Sequence, residues 1–367
     1  MKILYITPKA NDYGGVAKIL SVKASALAQN HQVYIATQNN GWQNAPYKYN
    51  ASIQFFDMVL YGNKISFLYR YHKALNNIVN TVKPDLIFVS DNGLKAYLIP
   101  FLVTHKCQLV FEVRGSLYNE ITSIAPNRIN QLFHNLKYFY RRKFVKFYNY
   151  IVFLSKESQE EWGIKKKTFI IPNPIENITQ TVTSLDEKIA ICVARNSYEK
   201  GLDRLLDIWQ LVQKENKEWK LKIIGVSENR EALIEHAIRN DIAHSIEILP
   251  PTNDIIQEYL NASIYLMPSR SEGFPNVLLE AQSCGLPLIS YNCPIGPKSM
   301  IIDSENGFLI PDGDKNEFAK KLLLLMQDKN LRVQMGKSGR TKIFEYEKEK
   351  IIEKWEKLIQ EVTKSKV

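Results

Sequence analysis

The sequence predicts an α/β protein of two parallel-sheet units in tandem, and three observations carry that prediction. Short apolar runs rich in Ile, Val, Leu and Phe alternate with longer stretches of helical period, the pattern of a parallel sheet covered by helices. The chain has 367 residues, too many for one ordinary core and suited to two. A polar segment rich in Thr, Asn and Ser, from Pro172-Asn173-Pro174 to Glu187, interrupts the alternation near the middle.

In the first half the apolar runs place strands at Ile3–Thr7, Gln32–Ala36, Ile53–Phe56, Leu86–Ser90, Leu109–Val113, Tyr150–Leu154 and Thr168–Ile171. Helices fill the intervals at 16–29, 64–81, 127–147 and 156–163. Beyond the polar segment the pattern restarts with strand Ile189–Val193 and helix 202–215, then strand Leu221–Gly225 and helix 229–239. Strand Ile246–Leu249, helix 253–261, strand Ile264–Met267, helix 276–284 and strand Leu288–Ser290 follow. A helical block at 315–362 closes the chain. The divisions are a first unit at 1–172, a linker at 173–187, a second unit at 188–345, and a C-terminal helix at 346–367 free to cross back to the first unit. No repeat of 20–50 residues is visible in the sequence.

Composition excludes several classes. With 45% hydrophobic and 23% charged residues the chain is neither disordered nor collagen-like. No apolar run approaches the ~18–20 residues of a membrane span. The four apolar residues before Thr7 and Pro8 read as a first strand and not as a signal peptide. Cys107, Cys192, Cys284 and Cys293 share no C-x-x-C spacing, so neither a zinc site nor a disulfide framework is indicated, and a reducing cytoplasm is the expected location. The net charge of +10 is uneven: residues 1–180 hold 22 Lys and Arg against 10 Asp and Glu, and residues 181–367 hold 26 against 28. The basic first half suits a polyanionic partner or a plain solvated surface.

The most informative stretch is Pro268-Ser-Arg-Ser-Glu272-Gly273-Phe274-Pro275-Asn276-Val-Leu-Leu-Glu280. A strand ends at Met267, a turn follows, and a helix starts near Asn276 with free N–H groups and the positive end of its dipole, a cradle for hydroxyl or phosphate oxygens. Glu272 and Glu280, eight residues apart, can address two parts of one elongated ligand. A second junction, Arg195-Asn-Ser-Tyr-Glu-Lys200-Gly201, sets two cations five residues apart where a strand gives way to a helix. Cations there oppose the dipole, a conflict that a bound diphosphate removes.

These stretches resemble the E-x7-E signature of the retaining glycosyltransferases of family 4, which have the GT-B fold of two Rossmann-like domains with parallel sheets facing a central cleft. The resemblance implies that Glu272 holds donor-sugar hydroxyls, Glu280 the nucleotide ribose, and Arg195 and Lys200 the leaving diphosphate, with Gly273, Phe274, Pro275 and Asn276 shaping the donor turn. It makes Arg195, Lys200 and Glu272 the catalytic candidates. Asn11-Asp-Tyr-Gly14-Gly15 resembles the family's glycine loop, which implies a donor contact for Gly14 and Gly15. That loop lacks G-x-G-x-x-G, and no acidic residue follows the second strand, which disfavours a nicotinamide dinucleotide site.

Relatives often carry a His after the fifth strand, where this chain has Arg114. That residue either contacts an acceptor or diphosphate oxygen, the favoured reading, or is a strand-end residue paired with Glu112 or Glu120. Asp312-Gly313-Asp314 spells D-x-D but precedes a helix, where turn and cap chemistry explain it. The basic-aromatic stretch Leu136–Tyr148 either rests on an anionic leaflet or packs its rings on the sheet with its cations solvated.

The reading is a metal-independent, retaining glycosyltransferase with no cofactor, because the nucleotide-sugar donor, a UDP-sugar by preference, is a substrate. The expected acceptor is a saccharide or lipid-diphosphate-linked saccharide at the inner membrane face, in surface or capsular polysaccharide assembly. A nucleotide-sugar epimerase of the same fold is the enzymatic alternative, and a basic nucleic-acid-binding protein the other; nucleic acid is not the expected partner.

Overall fold

The computed structural model describes residues 1–12, 14–118 and 128–364, which form two compact units. The first comprises 1–118, 128–176 and 348–364, and the second comprises 177–347. In the first, β1 (Lys2–Ile6), α1 (Gly15–Leu27), β2 (Gln32–Gln38), β3 (Gln54–Met58), α2 (Lys64–Val82) and β4 (Leu86–Val89) come in order. Then come α3 (Ile99–Leu102), β5 (Gln108–Glu112), α4 (Arg128–Phe144), β6 (Tyr150–Phe153), α5 (Lys156–Trp162) and β7 (Thr168–Ile170). The sheet order is β3-β2-β1-β4-β5-β6-β7, and every pairing is parallel. Both faces of β1 and β4 are buried, which is why these strands read as unbroken apolar runs.

The second unit continues with β8 (Ile189–Val193), α6 (Leu202–Glu215), β9 (Lys220–Ile224), α7 (Arg230–Arg239), β10 (Ile246–Leu249) and α8 (Ile255–Leu260). It goes on through β11 (Ile264–Met267), α9 (Asn276–Ser283), β12 (Leu288–Tyr291), α10 (Pro297–Met300), β13 (Gly307–Ile310), α11 (Lys315–Gln327) and α12 (Lys329–Ile343). The order β10-β9-β8-β11-β12-β13 is again wholly parallel. Strand β13 was not expected from the sequence. Its Gly307 has no room for a side chain, since a Cβ would lie 2.4 Å from the Leu288 carbonyl oxygen of β12. The final helical block comprises three helices, the last of them close to the expected C-terminal helix. Asp328 ends α11 and caps α12, accepting from the Leu331 amide at 2.9 Å.

The last helix, α13 (Lys348–Lys364), belongs to the first unit. Its Ile351, Trp355, Leu358, Ile359 and Val362 recur at one helical face and pack beside Leu20, Ala24 and Leu27 of α1 against the sheet. The opposite sheet face is covered by α2, through Tyr71, Leu75 and Val79, and by the segment leaving α4, through Val145 and Tyr148. Residues 177–187 are fixed on the second unit, where Leu185 is buried and the Thr183 hydroxyl donates to the Ala262 carbonyl at 2.7 Å.

Candidate active site

In the second sheet β8 pairs with β9 on one side and β11 on the other, so the strand order reverses there. Loops leaving the carboxyl ends of strands at such a point form the crevice where open α/β sheets bind ligands. Three loops meet here, following β8, β11 and β12. Gly201, in the left-handed region at φ 65°, lies so close to Pro268 that a Cβ would sit 2.4 Å from its carbonyl oxygen. Gly296, at φ 103°, brings the third loop against the turn, where a Cβ would meet Pro275 Cδ at 2.6 Å. Only glycine permits either approach without displacement.

Across this contact Lys200 Nζ donates to both carboxylate oxygens of Glu272, at 2.8 and 2.9 Å. The Ser269 hydroxyl donates to Glu272 Oε1 at 2.7 Å. Glu272 is buried and Lys200 partly so. The charge conflict foreseen at this helix start is thus met internally, by Glu272 on Lys200. Arg270 braces the two loops: its amide donates to the Glu199 carbonyl and Nη1 to the Tyr198 carbonyl, each at 2.8 Å, while its guanidinium pairs with Asp203. Arg195 is exposed on the same loop. Phe274 is buried and packs on Tyr346, and Pro275 stands at the N-cap of α9, where it offers no side-chain hydrogen bond. One turn into α9, Glu280 Oε2 accepts from the Tyr259 hydroxyl at 3.2 Å. Burial pushes the thiols of Cys192 and Cys293 up to about 12, so both stay protonated at neutral pH and neither acts as a thiolate nucleophile.

Residues 175–342, which contain all of this constellation except Tyr346, match the family model described as glycosyl transferases group 1. Over these residues the chain is similar to that family. An uncharacterised glycosyltransferase of Haemophilus influenzae is 36% identical over 57% of this chain and 60% of its own. The amylovoran biosynthesis glycosyltransferase AmsD of Erwinia amylovora is 26% identical over 98% of this chain and 99% of its own. Among solved structures, the pneumococcal O-GlcNAc transferase GtfA in complex with UDP and GlcNAc superposes with a TM-score of 0.75 at 15% identity, covering 99% of each chain. The shared architecture is the GT-B fold.

The remaining expected site residues lie in the first unit. Gly14 precedes α1, its amide donating to Asp12 Oδ1 at 3.2 Å, and Gly15 opens that helix. Arg114 follows β5 and has the strand-end partner Glu112 that was one of its two expected readings. Its side chain is buried, Nη2 pairs with Glu112, and Nη1 donates to Asn173 Oδ1 at 3.3 Å. Glu112 also pairs with buried Lys23 and accepts from Ser90 at 2.8 Å. Lys23 lies 4.0 Å from the centre of the Trp355 ring. Burial drives Lys23 down to about 7 against the pull of Glu112. Burial alone would raise the Glu112 carboxyl, but Arg114 and Lys23 bring it below the ordinary range. Asp314 caps α11 and Asp312 pairs with Arg204 at 2.6 Å, so the D-x-D sequence is turn and cap chemistry. Among the described residues no three His, Cys, Asp or Glu side chains gather as a metal-ligand set. Sequence reasoning missed Ser269, Arg270 and Gly296 as site builders. The first two stood within the motif, and Gly296 stood in the turn signal Pro294-Ile-Gly296-Pro297.

Proposed function

We propose that the protein is a retaining, metal-independent glycosyltransferase that moves a sugar from a nucleotide-diphosphate donor, a UDP-sugar by preference, to a hydroxyl of a saccharide or lipid-linked saccharide. One observation carries this reading. An ammonium has three donors and a carboxylate about four acceptor positions. Lys200 spends two donors on Glu272, whose oxygens accept three hydrogen bonds from Lys200 and Ser269. The cluster therefore has one donor and one acceptor left, 3 Å or less from each other's residue, which suits a ligand offering a phosphate oxygen beside a hydroxyl. A nucleotide sugar has both.

As the anomeric C–O bond breaks, negative charge grows on the diphosphate and positive charge on the sugar ring. Lys200 is already locked in position by Glu272 and meets the first charge without reorganising; Arg195, exposed on the same loop, supplies a two-oxygen fork. Glu272 directs its remaining acceptor to the sugar hydroxyls, and Glu280 addresses the ribose. The named relatives support the wider setting: one serves amylovoran biosynthesis, and one solved neighbour holds UDP and GlcNAc. We take this chain's process to be surface or capsular polysaccharide assembly in the cytoplasm. The test is a thermal-shift screen of UDP- and GDP-sugars, followed by NMR of the product made with a saccharide acceptor. A cognate donor raises the melting midpoint by mass action, and the product keeps the donor's anomeric configuration. An inverted product, or free epimerised sugar formed without acceptor, overturns the proposal.

A further inference from the structure

The inward side of α4 is committed to the fold. Tyr138, Tyr140 and Phe144 pack on the core, and buried Arg141 donates from Nη1 to the Leu117 carbonyl at 3.2 Å. Its outward side is not. Leu132, Phe133, Leu136 and Phe139 are each more than half exposed. At one end of this face Phe101 and Phe147 meet edge to face at 4.7 Å and are equally exposed. A groove of about 550 Å³, lined by Leu94, Phe133, Leu136 and Tyr140, runs along the helix. Among the described residues nothing covers this patch, which is larger than the scattered apolar side chains normal at a surface.

The segments that carry its side chains bear charges of one sign. No Asp or Glu occurs in residues 92–111 or 128–156, the described segments that build the patch. Lys143 lies 5.6 Å from the Phe139 ring centre, and Arg142 and Lys146 are exposed beside it. Exposed Leu and Phe side chains ringed by cations fit a surface that is anionic outside and apolar beneath. A second copy of this chain fits less well, because a two-fold contact would set Lys143 and Lys146 of one copy against those of the other. Nucleic acid would engage the cations but leave Leu132 and Leu136 without purpose.

We propose that the outer face of α4, with Phe101 and Phe147, seats the first unit on an anionic lipid bilayer. Leu132, Leu136 and Phe139 enter the acyl boundary while Lys143 and Lys146 stay among the headgroups. This inference concerns the first unit alone and does not depend on the donor reading.

The test is sedimentation of the full chain with phosphatidylcholine vesicles, with and without phosphatidylglycerol, in the absence of any donor. Binding is expected only with phosphatidylglycerol and is expected to fall with salt. Each basic side chain near such a surface is worth about fivefold in partition, so Lys143→Gln with Lys146→Gln lowers it about 25-fold. Leu136→Ser with Phe139→Ser abolishes it while the melting midpoint is unchanged, since both side chains are exposed. In a Phe139→Trp variant, brominated lipid quenches the added fluorescence. Equal partition onto neutral and anionic vesicles, wild-type binding by either double variant, or an unquenched Trp in a bound protein overturns the proposal. So does a dimer in solution that the Leu136→Ser, Phe139→Ser pair dissolves.

Discussion

The contact between Gly201 and Pro268 allows a quantitative prediction for Gly201→Ala. At φ 65° an L-residue is in the left-handed region, which costs about 1–2 kcal/mol. The new Cβ would also lie 2.4 Å from a backbone oxygen, where real contacts stay beyond about 3 Å, so one loop must move by roughly half an ångström or more. Overpacking of this kind costs about 1–3 kcal/mol, so the total is on the order of 2–5 kcal/mol. For a unit of this size that lowers the melting midpoint on the order of 10 °C. Lys200 is the preceding residue, so the same movement draws its ammonium off Glu272. A misplacement of ~1 Å in a site can cost ~10²-fold, and turnover should fall about tenfold or more. Gly201→Asn separates the two causes, because Asn tolerates the left-handed backbone better but brings the same Cβ. It should recover part of the stability and little of the turnover. Calorimetry and steady-state product assays on the three proteins decide the matter; an Ala variant with wild-type melting and turnover refutes the reasoning.

Three further outcomes follow from the charges. Glu272→Gln should lower turnover at saturating donor while free UDP still binds, and Glu280→Gln should chiefly weaken UDP; calorimetric titration showing the opposite pattern would reverse the two roles. Arg195→Ala should reduce turnover by ~10²–10³, Arg195→Lys should recover it only partly, and wild-type rates should ignore EDTA; a strict divalent-metal requirement sinks the leaving-group role. Lys23, held at about 7 in the fold against an ordinary 10.5, binds its proton less readily folded than unfolded. Stability should therefore rise with pH from about 7, by up to ~1.4 kcal/mol per unit, and urea titrations of Lys23→Met between about pH 6.5 and 8.5 should show that rise abolished.

What the sequence disclosed, and what it hid, follows from the range of the interactions. Parallel strands buried on both faces announce themselves as apolar runs, so β1 and β8 were legible. The four residues of β13 were not, because Asn306-Gly307 reads as a turn and the demand for glycine there comes from β12. The stripe Ile351, Trp355, Leu358, Ile359 showed that α13 buries one face but not which sheet receives it. At the site, Lys200 and Glu272 were legible as members of two local motifs. Their pairing spans 72 positions and leaves no local trace. The cluster at Arg114 shows the same limit: β5 alternation puts Glu112 on the same side of the strand, but only the fold brings Lys23 from α1 to share that carboxylate.

The two charge clusters also show why burial and pairing alone do not mark a functional site. Glu112 is buried and enclosed by Lys23, Arg114 and Ser90, with the Trp355 ring over the ammonium. Its role is to fix α1 and α13 against β5. Glu272 and Lys200 are paired as closely, but they lie where strand order reverses, on loops that Gly201 and Gly296 hold together from the backbone and Arg270 braces from the side. Because the loops are held by other contacts, the pair need not stay saturated to keep its geometry. It can offer its last donor and last acceptor to a ligand at little cost in structure, which is the property that separates a binding cluster from a structural one.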